Sequence, residues 1–111
     1  MLSKNGVPFV YAIEGETFAS IASANNLFVK ELLSYNDAPA GLALHAGDIV
    51  YLQAKKSQTR RGLDKYIVEQ DGESLRDICQ RFAVKQKSIE KLNSFERGHY
   101  LREGDTILLR K

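Results

Sequence analysis

Apolar and polar positions along this chain follow one order of periods, and follow it twice. Phe9-Val10-Tyr11-Ala12-Ile13 and Tyr66-Ile67-Val68 are short β-branched and aromatic runs, each ended by a glycine (Gly15, Gly72) after one or more acids. Such runs predict strands that stop in a turn. Thr17 and Ser74 follow, side chains suited to capping the first free amides of a helix, and Asp77 stands behind Ser74 at capping-box spacing. Apolar residues then recur with helical period: Phe18, Ile21 and Ala22 in the first stretch, and Leu75, Ile78, Cys79 and Phe82 in the second. A shorter second helix is predicted over 29–35 and 86–92, with Leu32 and Leu33, or Ile89 and Leu92, turned inward. Asn36 and Asn93 close these helices, as a residue tolerant of left-handed backbone should. After a loop in each copy, Gly47-Asp48 and Gly104-Asp105 form tight turns into final strands at 49–52 and 106–109.

The two patterns superpose without a gap at an offset of 57 residues, with Gly15 on Gly72, Ile21 on Ile78, Asn36 on Asn93 and Gly47-Asp48 on Gly104-Asp105. A fixed period means one supersecondary unit used twice. The expected plan is a leader at 1–8, a unit at 9–53, a basic linker at 54–65 and a second unit at 66–111. The terminal strands of each unit should pair antiparallel, because only pairing satisfies their backbone groups. Both helices must then cover one face of that ribbon, since a bare hairpin is unstable in water. The expected fold is therefore α+β: two tandem βααβ units, each a two-stranded antiparallel sheet covered on one face by two helices. Units this small barely offset the entropy of ordering their chain, and neither has room for a large enclosed active-site cavity. Repetition also favours binding over catalysis, because two weak grooves reinforce each other through effective concentration.

Charge refines the picture. The net charge of +2 hides a sum of −3 over residues 1–54, +4 over 55–65 and +1 over 66–111. Lys55, Lys56, Arg60, Arg61 and Lys65 put the positive charge in the linker, which reads as a solvated connector. No aromatic residue interleaves with these bases, which counts against single-stranded nucleic acid as a partner. The single cysteine, Cys79, excludes an internal disulfide and occupies a helical apolar stripe, as a small core residue would. No apolar run is long enough to cross a membrane, so membrane insertion is not expected. The first residues, Met1 to Gly6, read as a leader into a domain already under way, as in a piece of a longer protein.

Candidate chemistry is sparse. Glu14, Glu16, Asp71 and Glu73 gather near the first turns, but nothing apolar and enclosed surrounds them to raise a carboxyl pKa for glycoside hydrolysis. His45 and His99 lie in polar loops, away from any cysteine or second histidine at metal spacing. No catalytic residue, metal site or cofactor is expected.

The ordered residues resemble the lysin motif, LysM. The second copy gives Gly72-Glu73-Ser74-Leu75, then Ile78-Cys79, Ile89 with Leu92-Asn93, and Leu101-Arg102-Glu103-Gly104-Asp105 before Ile107. The first gives Gly15-Glu16-Thr17-Phe18, Ile21-Ala22, Leu32-Leu33 with Asn36, and Leu44-His45-Ala46-Gly47-Asp48. Glu16 and Glu73 stand where the family usually has Asp, and each first loop carries an extra residue. The pairing is also similar to the carboxy-terminal part of bacterial glucosaminidases, those of Bacteroides-like organisms in particular. The resemblance implies a non-catalytic module of the cell envelope, periplasmic or secreted. Its partner would be peptidoglycan or another N-acetylglucosamine polymer, with a catalytic domain of the same full-length protein as a second partner. The alternative it leaves open is an interaction scaffold that has lost the sugar site and packs on that catalytic domain. It places the sugar in a shallow groove between the loop after the first strand and the loop after the second helix. In the first copy these residues are Gly15, Glu16, Thr17 and Phe18 with Ala38, Pro39, Ala40, Gly41 and Leu42. In the second they are Gly72, Glu73, Ser74 and Leu75 with Ser94, Phe95, Glu96, Arg97 and Gly98. An N-acetyl group offers one amide donor and one carbonyl acceptor, which loop backbone can match without a charged side chain.

Overall fold

The computed structural model describes residues 2–111 and divides the chain into two compact units, Met1–Lys55 and Lys56–Lys111. Met1, the first residue of the expected leader, lies outside the described residues. The first unit contains β1 (Ser3–Lys4), β2 (Val7–Tyr11), α1 (Phe18–Ala24), α2 (Val29–Tyr35) and β3 (Ile49–Tyr51). The second contains β4 (Lys65–Ile67), α3 (Leu75–Phe82), α4 (Gln86–Leu92) and β5 (Thr106–Leu108). In each unit the terminal strands of the βααβ segment pair antiparallel, Val10 opposite Val50 and Tyr66 opposite Ile107. The α+β class and the repeated βααβ order are those expected.

Two boundaries differ from expectation. Residues 3–8 are not a free leader: Ser3 pairs with Pro8 and Lys4 with Val7, so the first sheet has three strands in the order β1-β2-β3 rather than two. The turn between them is Asn5-Gly6, both at positive φ (52° and 77°), the backbone a two-residue hairpin needs to match strand twist. The basic segment, though exposed at all but Lys55 and Thr59, is likewise not a free connector. Lys55 is buried, with its ammonium 2.6 Å from the Asp37 carboxylate and 5.9 Å from the centre of the Tyr51 ring. Lys56 bridges to Val84, and its carbonyl accepts from Lys85 N at 2.8 Å. Thr59 is buried, donating its amide to the Leu109 carbonyl at 3.0 Å, while Leu109 N donates to Asp64 O at 2.9 Å. Leu109 is itself fully buried, so its backbone groups require partners, and the segment 59–64 supplies them.

The start of the first helix in each unit is explained locally. Thr17 and Ser20 exchange side-chain and backbone hydrogen bonds at 3.0 and 2.9 Å, a reciprocal cap for α1, and Ser74 Oγ accepts from Asp77 N at 3.2 Å. The helix ends are less as expected. Asn36 and Asn93 keep negative φ (−108° and −99°), and the left-handed residue is the next one, Asp37 (50°) or Ser94 (56°). The asparagine amides act instead as brackets between helix and strand. Asn36 Nδ2 donates to Leu32 O (2.8 Å) and Tyr51 O (3.0 Å), and its Oδ1 accepts from Tyr51 N (2.7 Å). Asn93 repeats this with Ile89 O (2.8 Å), Leu108 O (2.9 Å) and Leu108 N (2.7 Å). An asparagine amide has donor and acceptor side by side, so one side chain serves the edge of a strand as a backbone neighbour would.

The cores repeat as well. Phe18, Ile21, Ala22, Leu32 and Val50 fill the first; Ile78, Cys79, Val84, Ile89 and Ile107 fill the second. Each helix pair covers its ribbon through these side chains, leaving the loops at one end of the unit to form a surface.

Candidate functional site

The second unit folds its β4–α3 loop against the connection that leads from α4 toward β5. Gly72 N donates to the Leu101 carbonyl at 2.7 Å, which draws the two loops together. Between them lies a depression of about 260 Å³ lined by Gly72–Arg76, by Gln86 and Glu90 of α4, and by Gly98–Leu101. Gly72 sits at φ 76°, which favours glycine, and a β-carbon there would stand 3.3 Å from the Tyr100 hydroxyl and press on that ring.

The turn below is braced by charge. The Tyr66 hydroxyl donates to the Glu73 carboxylate, which also accepts from Glu69 N at 3.0 Å and lies 3.8 Å from the Arg81 guanidinium. The Tyr66 hydrogen bond, aided by Glu69 N and Arg81, holds the Glu73 carboxyl below its ordinary range. Burial, together with the bond to Glu73, pushes the Tyr66 phenol up. Glu73 is therefore an ionised brace, the opposite of the raised carboxyl a glycosidase acid requires.

Of the residues expected at the second groove, Gly72, Glu73, Ser74, Leu75 and Gly98 line the depression. Ser94, Phe95, Glu96 and Arg97 do not. Phe95 instead packs on the core and stacks against His99, ring centres 4.2 Å apart and 8° from parallel. The residues not anticipated are Arg76, Gln86, Glu90, His99, Tyr100 and Leu101. Gln86 and Glu90 could have been found from their i,i+4 spacing, which puts both on one side of α4. Tyr100 is more than half exposed, with the Arg102 guanidinium 5.6 Å from its ring centre, and offers an apolar face beside the depression.

In the first unit Gly15 occupies the turn at φ 86°, Glu16 accepts from Ile13 N at 2.8 Å, Thr17 caps α1 and Phe18 is buried in the core. Ala38 packs on the core, and Pro39–Leu42 form an exposed turn closed by Leu42 N to Pro39 O at 3.2 Å, with Gly41 at φ 86°. Mapped through the repeat, Arg76, Gln86, Glu90, His99 and Tyr100 fall on Ala19, Val29, Leu33, Leu42 and Ala43. These five polar or aromatic positions of the second unit's depression are aliphatic in the first, whereas Glu73 and Ser74 keep polar counterparts in Glu16 and Thr17.

A small α+β repeat with shallow loop surfaces defines a class of binding modules. The model of the LysM domain matches residues 13–52 and 66–110, and the chain belongs to that family. LysM is a non-catalytic domain of cell-envelope and secreted proteins that generally binds peptidoglycan and other N-acetylglucosamine glycans. Comparison with curated proteins gives no match. Among solved structures, the crystal structure of the Bacillus cereus spore cortex-lytic enzyme SleL is similar over 95% of this chain and 23% of that one, at 24% identity and a TM-score of 0.40. SleL of Bacillus megaterium QM B1551 is similar over 90% and 21%, at 19% identity and a TM-score of 0.38. The chain thus spans less than a quarter of either enzyme. No helix among the described residues is long and apolar enough to cross a membrane, and no cluster among them is fit to hold a metal ion.

Proposed function

We propose that this chain is a non-catalytic module that recognises N-acetylglucosamine-containing glycans, peptidoglycan foremost, and anchors a larger cell-wall enzyme or envelope protein. The observation that carries the reading is the second unit's depression, where glycine backbone, the Ser74 hydroxyl and the Gln86 amide stand around a space of about 260 Å³. Amide and hydroxyl groups there match the N-acetyl group, and the Tyr100 face suits the apolar side of a pyranose ring. Within this reading the binding residues are Gly72–Leu75 and Gly98, joined by Gln86, Glu90, His99 and Tyr100. Residues Gly15–Phe18 and Ala38–Leu42 provide the corresponding, weaker contact. A titration with N-acetylglucosamine oligomers of increasing length, followed by amide shifts, tests it. Shifts at 72–76 and 98–101 that tighten with oligomer length are expected; no shift anywhere with long oligomers or purified peptidoglycan overturns it.

A second reading applies to the first unit alone. Its aliphatic equivalents, with Phe28 78% exposed beside Val29, favour a surface that has exchanged sugar contact for protein contact, such as a catalytic domain of the full-length protein. Silent amides in the first unit during the same titration, with large shifts on adding that domain, are its signature.

A further inference from the structure

We propose a second binding site in the second unit, independent of the glycan reading: a fixed strip of cations that takes a linear phosphodiester polymer. Of the bases clustered in the sequence, Lys55 is withdrawn into the first unit against Asp37. The remainder are held in place by backbone. Lys56 is tied to Val84 and Lys85, which sets Lys85 beside it. The Thr59 carbonyl accepts from Arg110 Nη1 at 2.6 Å, and Lys111 N donates to Gln58 Oε1 at 3.3 Å, so the chain's last residues lie along the same loop. The turn that carries Arg60 and Arg61 is closed by Leu63 N to Arg60 O at 3.2 Å and by the Thr59 hydroxyl on Leu63 O.

Lys56, Arg60, Arg61, Lys85 and Lys111 are exposed, and among the described residues none of these five has an ion-pair partner. Asp64, the only acid within 55–65, faces Arg110 Nε at 3.9 Å and accepts from Gly62 N at 3.2 Å. Three unneutralised cations on an ordered loop, with Lys85 and Lys111 on segments tied to it, need little further ordering to meet a row of phosphates, and each contact releases a counterion. Arginine forks suit the paired oxygens of a phosphodiester. No aromatic residue lies within 55–65, so the loop itself offers no ring on which bases could stack, and the favoured polymer is one without nucleobases.

The test uses the whole chain and synthetic polyglycerol phosphate, with amide shifts and affinity measured across salt concentrations. Shifts confined to 56–65, 85 and 110–111 are expected, with a log–log salt slope of about −3 for four or five contacts. Arg60→Gln/Arg61→Gln should weaken binding roughly tenfold and flatten the slope by about 1.4, at two lost contacts of about 0.7 each. Lys30→Gln in the first unit and Tyr100→Ala should leave polyglycerol phosphate binding unchanged, which separates this site from the glycan groove. Absence of binding at low salt, or binding indifferent to the double substitution, overturns the proposal. So does tighter binding of single-stranded DNA, polyglutamate or phosphatidylglycerol vesicles at matched charge, each of which assigns the strip to another partner.

Discussion

The two units share backbone order, glycine turns and asparagine brackets, yet present opposite chemistry at matching surfaces. Positions that hold Arg76, Gln86, Glu90, His99 and Tyr100 in one hold Ala19, Val29, Leu33, Leu42 and Ala43 in the other. The core positions change far less: Ile21 and Ile78, or Leu32 and Ile89, stay aliphatic and buried. Packing density constrains the interior to a narrow range of shapes, whereas a loop surface anchored at both ends accepts almost any side chain. The brace under the groove follows the same division, since Tyr66 and Arg81 correspond to Phe9 and Ala24. Duplication here has preserved a scaffold and let its two faces part.

The largest test of this comparison is the bracket that both units keep. Asn36 and the Tyr51 groups it serves are fully buried, whereas Asn93 and Leu108 reach solvent. Asn36→Ala strands buried backbone groups and should cost about 3 kcal/mol, against about 1 kcal/mol for Asn93→Ala, where water can substitute. Denaturation followed by amide exchange within each unit reads both values; equal costs would break the contrast.

Glycines in the first turns come next. Gly15 and Gly72 both lie at positive φ, but a β-carbon at Gly15 meets nothing within 4 Å, while one at Gly72 meets the Tyr100 ring. Gly15→Ala should cost about 1 kcal/mol from backbone strain alone. Gly72→Ala should cost about 2 kcal/mol and also displace Tyr100, weakening glycan binding. Retained glycan affinity in Gly72→Ala would show that Tyr100 takes no part.

Exchanging the surface itself sharpens the comparison. Tyr100→Ala should weaken oligosaccharide binding by about 1 kcal/mol, roughly fivefold, without altering the second unit's unfolding. Ala43→Tyr, placed on the equivalent exposed position, should raise the first unit's response in the same titration.

The smallest effect is acid sensitivity. Because Glu73 is held below its ordinary range in the folded chain, its contribution to stability is complete above about pH 4.3, the unfolded value, and fades as pH falls through the folded one. Tyr66→Phe, which gives the second unit the first unit's residue, removes the main cause of that depression. It should therefore make the second unit's stability less dependent on pH as the pH falls below about 4.3. Urea midpoints recorded across that range decide it.

Much of this was legible in the chain. The offset of 57 residues located both βααβ patterns, and Thr17 and Ser74 marked the helix starts because capping is a local hydrogen bond. The β1 hairpin was missed although Asn5-Gly6 is a strong turn signal, because its strand is only two residues long and shows no period. The fate of 55–64 was not legible at all. Lys55 is buried by a carboxylate at Asp37, and Thr59 by the backbone of Leu109, partners too distant in sequence for composition to reveal. At the site, the glycine loop could be read from its motif. The opposite wall could not, because Phe95 turned inward to the core and left the groove to His99 and Tyr100.

Cys79 has one further use. It is the chain's single thiol and is fully enclosed in the second unit's interior. A disulfide reagent in solution reaches it only during moments when that interior breathes open. The labelling rate of the unmodified protein is thus a built-in clock for one half of the molecule, to which the other half is silent. Any ligand that slows the clock declares which half it holds.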